Sequence, residues 1–207
     1  MEDSHPYSRL TPDVVLNALD AVGLRCDGRL LALNSYENRV YQVGSSGHGT
    51  LVFKFYRPLR WSDAQILEEH AFALELAAAE LPVVAPLPFG AGTLFRRDGL
   101  RYAAFPRRAA RAVELDASGS LDLIGRTLGR IHAIGRLSRF AVRPALGIER
   151  LGWDARDALL ESDLLDPSLA ARYEEVSGQL LEAVEDAWNA HGPFATIRIH
   201  GDCHLGN

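Results

Sequence analysis

The first third of the chain changes from a helical spacing of apolar residues to strand-like spacings. Apolar residues recur at helical spacing from Val15 to Val22, behind Thr11 and Pro12, which predict an N-cap and a first-turn proline. Three short apolar or alternating runs follow, separated by polar and glycine-rich turns, at residues 30–33, 39–43 and 50–56. This order predicts a helix followed by an antiparallel meander.

The third strand-like run carries Lys54, the only lysine in the sequence. Because side chains alternate along a strand, Lys54 shares a face with Val52 and Tyr56, and a solvated surface lysine is the simpler interpretation. The functional alternative is a strand lysine that binds ATP phosphates, which requires a partner carboxylate on the next helix.

The next helix is predicted over residues 62–80, behind a capping-box pattern, and it supplies such a carboxylate. At about 100° per residue, Glu69 lies in the middle of the apolar arc, whereas Glu68 and Glu75 lie on the opposite, polar face. A carboxylate on a buried stripe is costly unless a cation meets it, so the pattern predicts a Lys54–Glu69 pair.

A proline-rich connector and a second hairpin complete the predicted sheet. The connector covers residues 81–88 and the hairpin covers residues 93–105. Phe105 then leaves the sheet where a kinase hinge would hold an adenine ring. We place a boundary behind Pro106, which predicts domains at residues 1–106 and 107–207.

The second predicted domain is mostly helical. Apolar residues at helical spacing predict helices over residues 121–135, 154–160 and 166–192. The predicted fold class is therefore α+β, with an antiparallel sheet and one helix in the first domain and mainly helices in the second.

The last eight residues are His200-Gly201-Asp202-Cys203-His204-Leu205-Gly206-Asn207. Residues 196–199 alternate between apolar and polar side chains just before them, which predicts a short strand. In a loop after a strand, Asp202 is a candidate base for a substrate hydroxyl, and Asn207 is a candidate magnesium ligand. A polar surface loop that happens to contain these residues is the simpler interpretation.

The composition narrows the class of function. With 47% hydrophobic and 24% charged residues and a net charge of −5, the sequence is typical of a globular protein and lacks the basic surface of a nucleic-acid-binding protein. No apolar run reaches membrane-spanning length. Cys26 and Cys203 form no disulfide framework, so we expect a cytoplasmic protein. From the net charge and the absence of a long apolar run, we expect neither a nucleic-acid partner nor a membrane partner.

Together, these motifs resemble kinases of the aminoglycoside phosphotransferase-like class, including a bacterial branch of stress-response protein kinases. The resemblance is carried by residues 33–41, 54–58, 66–70 and 200–204. It implies a protein-kinase-like two-lobe fold and an ATP- and Mg²⁺-dependent Ser/Thr protein kinase. It also implies that the protein is a cytoplasmic monomer and that its partners are ATP and a protein substrate with a Ser/Thr hydroxyl.

The resemblance also implies roles for individual residues. Asp202 would be the catalytic base and Asn207 a metal ligand. Lys54 would hold the α- and β-phosphates, and Glu69 would orient Lys54. Residues 34–39 would form the loop over the nucleotide phosphates. This loop lacks the multiple glycines of ordinary protein kinases, so the Ser35 hydroxyl and backbone amides would supply its donors. The complete implied nucleotide site is Ser35, Asn38, Arg39, Lys54, Glu69 and Phe105.

Kinases of this class continue beyond the Asn with a metal-binding Asp, whereas this sequence stops at Asn207. We therefore expect a fragment or truncated product whose C-terminal lobe is incomplete, with poor stability and little activity. A small-molecule hydroxyl kinase of the aminoglycoside, choline or homoserine kinase type and a catalytically dead nucleotide-binding fragment stay open as alternatives. A transition-metal site at residues 200–204 is the weakest interpretation, because Cys203 and His204 are adjacent and do not readily turn to one ion.

Overall fold

An antiparallel sheet organises the first part of the protein, in a computed structural model that describes residues 6–90, 92–109 and 114–204. The strands of the described residues are β1 (Arg25–Leu33), β2 (Arg39–Ser46), β3 (Gly49–Phe55), β4 (Phe95–Arg97) and β5 (Leu100–Pro106). They lie in the order β1-β2-β3-β5-β4, with antiparallel pairing throughout. The predicted meander and second hairpin are both confirmed.

The turn between β4 and β5 shows why the second hairpin forms. Asp98 and Gly99 have φ angles of 48° and 79°. A two-residue hairpin turn of this kind needs positive φ at both central residues, and Asp-Gly is one of the sequences that tolerates it. The turn places Leu100 opposite Arg97 and starts the register of the pair.

Helix α1 (Pro12–Ala21) belongs to the main hydrophobic core together with the sheet. Thr11 Oγ1 accepts a hydrogen bond from the Val14 N–H at 3.3 Å, which confirms the predicted N-cap. The Tyr102 hydroxyl donates to Ala18 O at 2.9 Å, so this buried polar group has a partner. The buried core residues of α1 and the sheet include Val15, Leu19, Val43, Leu51, Phe53, Phe55 and Tyr102.

Helix α2 (Asp63–Ala78) connects β3 to the second hairpin. Ser62 Oγ accepts from the Gln65 N–H at 3.2 Å, and Gln65 Oε1 accepts from the Ser62 N–H at 2.9 Å, which confirms the capping box. Its buried residues are Ile66, His70, Phe72 and Leu76.

The structure divides into two compact units. One unit contains Met1–Val142 and Arg198–Asn207, and the other contains Arg143–Ile197. Helix α3 (Ser120–Gly135) lies in the first unit, where Ile131 packs with Phe72 and Leu76 of α2. A lobe boundary behind Pro106 stays a prediction.

The second unit is helical. A π-helical turn (Glu149–Trp153) leads into α4 (Asp154–Leu160), and α5 (Pro167–His191) follows. Arg156 Nε donates to Ser177 Oγ at 3.1 Å and so links α4 to α5. No residue of α5 is buried within the described part of the chain, and Trp188 is 44% exposed. None of the described helices is long and apolar enough to cross a membrane.

The strand predicted over residues 196–199 is wrong. These residues belong to no strand, and the Arg198 N–H instead donates to Gly135 O at the end of α3, at 3.2 Å. Burial does not alternate along the segment, because Thr196 is exposed, Ile197 is intermediate, Arg198 is 6% exposed and Ile199 is 36% exposed. The charged residue faces inward because a carboxylate on α2 meets it there.

Candidate active site

Lys54 on β3 and Glu69 on α2 form an ion pair. Lys54 Nζ lies 3.4 Å from Glu69 Oε1, and the two side chains are 27% and 38% exposed. The Lys54 ammonium group also lies 4.9 Å from the centroid of the Tyr56 ring, at cation–π distance on the same strand face. The predicted contact between the two side chains is confirmed, whereas their roles toward a nucleotide stay predictions.

The start of α2 is anchored to the second hairpin, and this fixes which side of the helix faces β3. Asp63 accepts a hydrogen bond from Arg101 at 3.2 Å and another from Arg96. The Arg96 guanidinium lowers the pKa of the Asp63 carboxyl group by direct hydrogen bonding. With the first turn held in this way, Glu69 lies beside Lys54.

The opposite face of α2 also contacts protein, which the sequence analysis missed. Glu68 accepts hydrogen bonds from the backbone N–H groups of Ala141 and Val142. Glu75 forms a two-point ion pair with Arg198, with contacts of 2.6 and 3.0 Å. These partners lie 73 and 123 residues further along the chain, beyond the reach of any local pattern.

The three residues predicted to cover the phosphates lie together at the turn between β1 and β2. Ser35 Oγ donates to Asn38 O at 2.7 Å, and the Arg39 guanidinium donates to the same oxygen at 3.1 Å. Asn38 Oδ1 accepts from the Arg57 N–H at 3.3 Å, which ties the turn to the end of β3. The turn is therefore closed by its own side chains rather than by glycines.

Glu37 anchors the same turn to its surroundings. Its carboxylate accepts from Arg60 Nε and Trp61 Nε1, both at 3.3 Å. The Tyr7 hydroxyl donates to Glu37 O at 2.9 Å, and burial raises the pKa of Tyr7 to about 12. Tyr36 lies between these anchored residues and is 100% exposed. The sequence analysis assigned no role to Glu37 or Tyr36.

His70 lies between Tyr56, which contacts Lys54, and Phe105. Its Nε2 lies 2.6 Å from the Tyr56 hydroxyl and its Nδ1 lies 2.8 Å from Thr93 Oγ1. The Phe105 ring contacts the His70 ring edge to face, with centroids 6.3 Å apart. Burial lowers the pKa of His70 from 6.5 to about 4, so the imidazole is neutral at physiological pH. A neutral ring suits both hydrogen bonds, because one nitrogen donates while the other accepts.

Asp202 lies in an exposed loop after Arg198. Its backbone N–H donates to His200 Nδ1 at 3.3 Å, and its carboxylate lies 3.5 Å from His204 Nε2. The Asp202 side chain is 73% exposed. Asn207, the predicted metal ligand, lies outside the described residues.

The described residues alone do not make a divalent metal site. Within them, no group of three or more His, Cys, Asp or Glu side chains is arranged to hold a metal ion. Asp202 is the carboxylate of the 200–204 loop, and the His204 imidazole beside it is not the oxygen ligand that Mg²⁺ prefers. We therefore assign no geometry to a bound cation.

Comparison with known proteins identifies close sequence relatives. A model of the phosphotransferase enzyme family matches residues 29–207. Stress response kinase A of Salmonella choleraesuis (strain SC-B67) is 41% identical over 206 residues, which cover 100% of this chain and 62% of that protein. A Salmonella typhimurium (strain LT2) relative named serine/threonine protein kinase RdoA is also 41% identical, with 100% and 62% covered.

The stress response kinase A of Escherichia coli (strain K12) is 40% identical over 201 residues, which cover 97% of this chain and 61% of that protein. The chain thus spans about three-fifths of the length of these curated relatives.

Solved structures share the fold at much lower identity. Amicoumacin kinase hAmiN, solved with AMP-PNP, Ca²⁺ and Ami, superposes with a TM-score of 0.71 at 18% identity, covering 98% of this chain and 62% of that chain. Spectinomycin phosphotransferase APH(9)-Ia, solved with ADP and spectinomycin, gives a TM-score of 0.61 at 15% identity, covering 95% and 65%. The predicted α+β, protein-kinase-like fold is confirmed.

Proposed function

The chain belongs to the phosphotransferase enzyme family, and from that premise we propose that it transfers the γ-phosphoryl group of ATP to a Ser/Thr hydroxyl of a protein. The observation that carries the proposal is the half-exposed Lys54–Glu69 pair between β3 and α2. A lysine held in this way keeps its direction while it remains accessible to a phosphate.

Lys54 would bind the α- and β-phosphates of ATP, and Glu69 would hold the ammonium group in place. The 3.4 Å separation of the two groups suits this role, because Lys54 has three donors and can retain Glu69 while another N–H reaches a phosphate oxygen. The turn with Ser35, Asn38 and Arg39 would cover the phosphates, and Phe105 would lie beside the adenine.

Asp202 would act as the base. It would accept the proton of the substrate hydroxyl as the hydroxyl oxygen attacks the γ-phosphorus, while the bond from that phosphorus to the β–γ bridging oxygen breaks and ADP leaves. The exposure of its carboxylate leaves room for a protein side chain to approach. A divalent cation bound with the nucleotide would neutralise charge on the transferring phosphoryl group.

The names of the relatives support a protein acceptor. Relatives at 40–41% identity are called stress response kinase A, and one of them is called a serine/threonine protein kinase. The alternative acceptor is a small-molecule hydroxyl group. If phosphate transfer to a small molecule were observed instead, that molecule would replace the protein as the proposed acceptor. A monomeric state and a cytoplasmic location stay predictions.

Labelled phosphate transfer tests the proposal in the protein expressed from its complete reading frame. We expect [γ-³²P]ATP to label Ser or Thr in the protein itself or in an added cell extract, and Lys54→Met and Asp202→Asn to abolish most of this labelling. Arg172→Met is the matched control, because Arg172 forms an exposed ion pair with Glu175 on α5. Label found only in small hydroxyl compounds, or equal label with Asp202→Asn, would contradict the assignment.

A further inference from the structure

The Arg198 side chain is held on several sides. Its Nη1 and Nη2 donate to the two carboxylate oxygens of Glu75 at 2.6 and 3.0 Å. Nη2 also donates to Ile134 O near the end of α3, at 3.1 Å. The hydrogen bond from Arg198 lowers the pKa of Glu75, so the carboxylate stays charged near neutral pH. A two-point contact of this kind fixes direction as well as distance.

Aromatic rings close the remaining sides of the guanidinium. Its carbon lies 4.3 Å from the centroid of the Phe72 ring and 5.9 Å from that of the Phe140 ring. The Arg198 side chain is 6% exposed, whereas Glu75 is 38% exposed. The charge of Arg198 is therefore almost fully removed from water and depends on Glu75 for compensation.

The Arg198 main chain is fixed as tightly as its side chain. The Arg198 N–H donates to Gly135 O at 3.2 Å. A Cβ atom at position 135 would overlap the Arg198 carbonyl oxygen, so the close approach of the two backbones requires glycine there. The segment that leads to His200 is thereby held between α2 and the end of α3.

The two ends of this connection lie near the proposed chemistry. Glu75 follows Glu69 on α2 by six residues, or about 9 Å along the helix axis. Arg198 precedes Asp202 by four residues. We propose that Arg198 is a positioning residue that, through Glu75, fixes the Asp202 loop relative to the helix that orients Lys54. This inference rests on the proposed function, in which Lys54 and Asp202 act on one substrate complex.

A purely stabilising role is a poor explanation for this arrangement. Apolar side chains of similar size often stabilise a buried site as well as an ion pair does or better. An ion pair adds a defined direction between its two elements, which apolar packing against Phe72 does not supply. Small displacements of catalytic groups by a distant change are costly, up to about 100-fold in rate.

The test separates positioning from stability with single and double variants of the protein from the complete reading frame. Glu75→Gln leaves a buried guanidinium uncompensated, so the melting temperature should fall. Glu75→Gln with Arg198→Met removes both charges and should recover much of the melting temperature. We expect kcat to stay reduced by about 10- to 100-fold in the double variant, with a much smaller change in KM for ATP.

The controls decide between the two roles. Arg198→Lys keeps the charge but loses the two-point contact, so it should recover kcat only in part. Arg172→Met, in an exposed ion pair, should change neither kcat nor the melting temperature. Recovery of kcat together with stability in the double variant would overturn the proposal, because activity would then follow folding alone.

Hydrogen–deuterium exchange keeps the test independent of catalysis. In the double variant, amides 199–204 should exchange faster than in the unaltered protein, while amides 35–39 should exchange at the same rate. Unchanged exchange over residues 199–204 would overturn the positioning role. Absence of phosphate transfer by the unaltered protein would contradict the proposed function, and the exchange result would still decide whether Arg198 holds the loop.

Discussion

Two of the ion pairs of α2, Lys54–Glu69 and Arg198–Glu75, differ in length, geometry and exposure. The Lys54–Glu69 pair has a single contact of 3.4 Å between side chains that are 27% and 38% exposed. The Arg198–Glu75 pair has two contacts, of 2.6 and 3.0 Å, and its arginine is 6% exposed. Helix α2 thus carries a loose, accessible pair toward the sheet and a tight pair with Arg198, whose guanidinium is enclosed.

The difference in exposure between the two pairs indicates two roles for charge, ligand binding at the exposed pair and structural fixation at the pair with the enclosed arginine. Exposed pairs contribute little to folding, because water and salt screen them, but an accessible ammonium group is available to an anionic ligand. Enclosed pairs are costly to break from one side, because the remaining charge lacks solvent. We therefore expect changes to Lys54 to affect phosphate transfer and changes to Glu75 to affect stability as well.

The largest expected effect is on catalysis at the loose pair. Lys54→Met should lower kcat by about 100- to 1,000-fold, the usual cost of losing one preorganised charge partner of the transition state. The free energy of unfolding should change by less than about 1 kcal/mol, because the pair is partly exposed. Steady-state ATP turnover and urea unfolding of the same preparation measure both values. A large loss of stability would show that the two pairs do not differ as described.

The next effect is on folding at the tight pair. Glu75→Gln should lower the free energy of unfolding by about 2 kcal/mol, less than the roughly 3–5 kcal/mol of a fully buried pair, because Glu75 is 38% exposed. The urea midpoint should fall without a change in the slope of the transition. Glu174→Gln, whose side chain is 65% exposed, is the matched control and should leave the midpoint unchanged.

The backbone contact between Gly135 and Arg198 gives a smaller expected effect on stability. Gly135→Ala should destabilise the protein by about 1.5 kcal/mol, because the new methyl group meets the Arg198 carbonyl oxygen. Gly125→Ala in the same helix meets no atom within 4 Å and should stabilise by up to about 1 kcal/mol through helix propensity. Thermal unfolding of the two variants side by side measures the opposite signs. Equal shifts would mean that the backbones at 135 and 198 are not in contact.

The last effect concerns pH and distinguishes the two sides of α2. The unfolded chain protonates His70 below its ordinary pKa of 6.5, whereas the folded protein does so near 4, so the unfolded state binds more protons between these values. Stability should therefore fall as the pH is lowered from 6.5 to 4. His70→Gln should reduce this slope by at most about 1.4 kcal/mol per pH unit in urea titrations.

The tight pair should respond at lower pH. The pKa of Glu75 is lowered from 4.5 in the folded protein by its hydrogen bond to Arg198. Its contribution is therefore present above 4.5 and lost as the pH falls through the folded pKa. An unchanged slope between pH 6.5 and 4 in His70→Gln would remove the distinction between the two pH ranges.

The sheet side of α2 was predictable from sequence because its determinants are local or periodic. The capping box at Ser62 set the start of the helix, and the helical period then placed Glu69 on the apolar arc. The pair with Lys54 formed as predicted, although Glu69 is 38% exposed, as is Glu75. The meander, the second hairpin and their turns followed from the same kind of short-range pattern, whereas the pairing of β5 with β3 was not predicted.

The contacts of Arg198 with Glu75 and Gly135 could not be predicted from the sequence, and the reason is physical. Alternation at residues 196–199 indicates an extended backbone but does not say which alternate side chains face inward. Apolar residues are the usual choice, yet here Arg198 is buried because Glu75, 123 residues earlier, compensates its charge. Glycine at position 135 likewise has no local signal, since its reason is the passing backbone of Arg198.

The single lysine of residues 1–207 has a consequence for labelling chemistry. Acylating reagents such as N-hydroxysuccinimide esters react with unprotonated primary amines, and Lys54 carries the one side-chain amine of residues 1–207. Its 27% exposure leaves it reachable beside Glu69. The rate of acylation at Lys54, measured by peptide mass spectrometry, therefore reports whether a ligand occupies this position. A phosphate-bearing ligand that contacts Lys54 slows the modification, and a ligand that binds elsewhere does not.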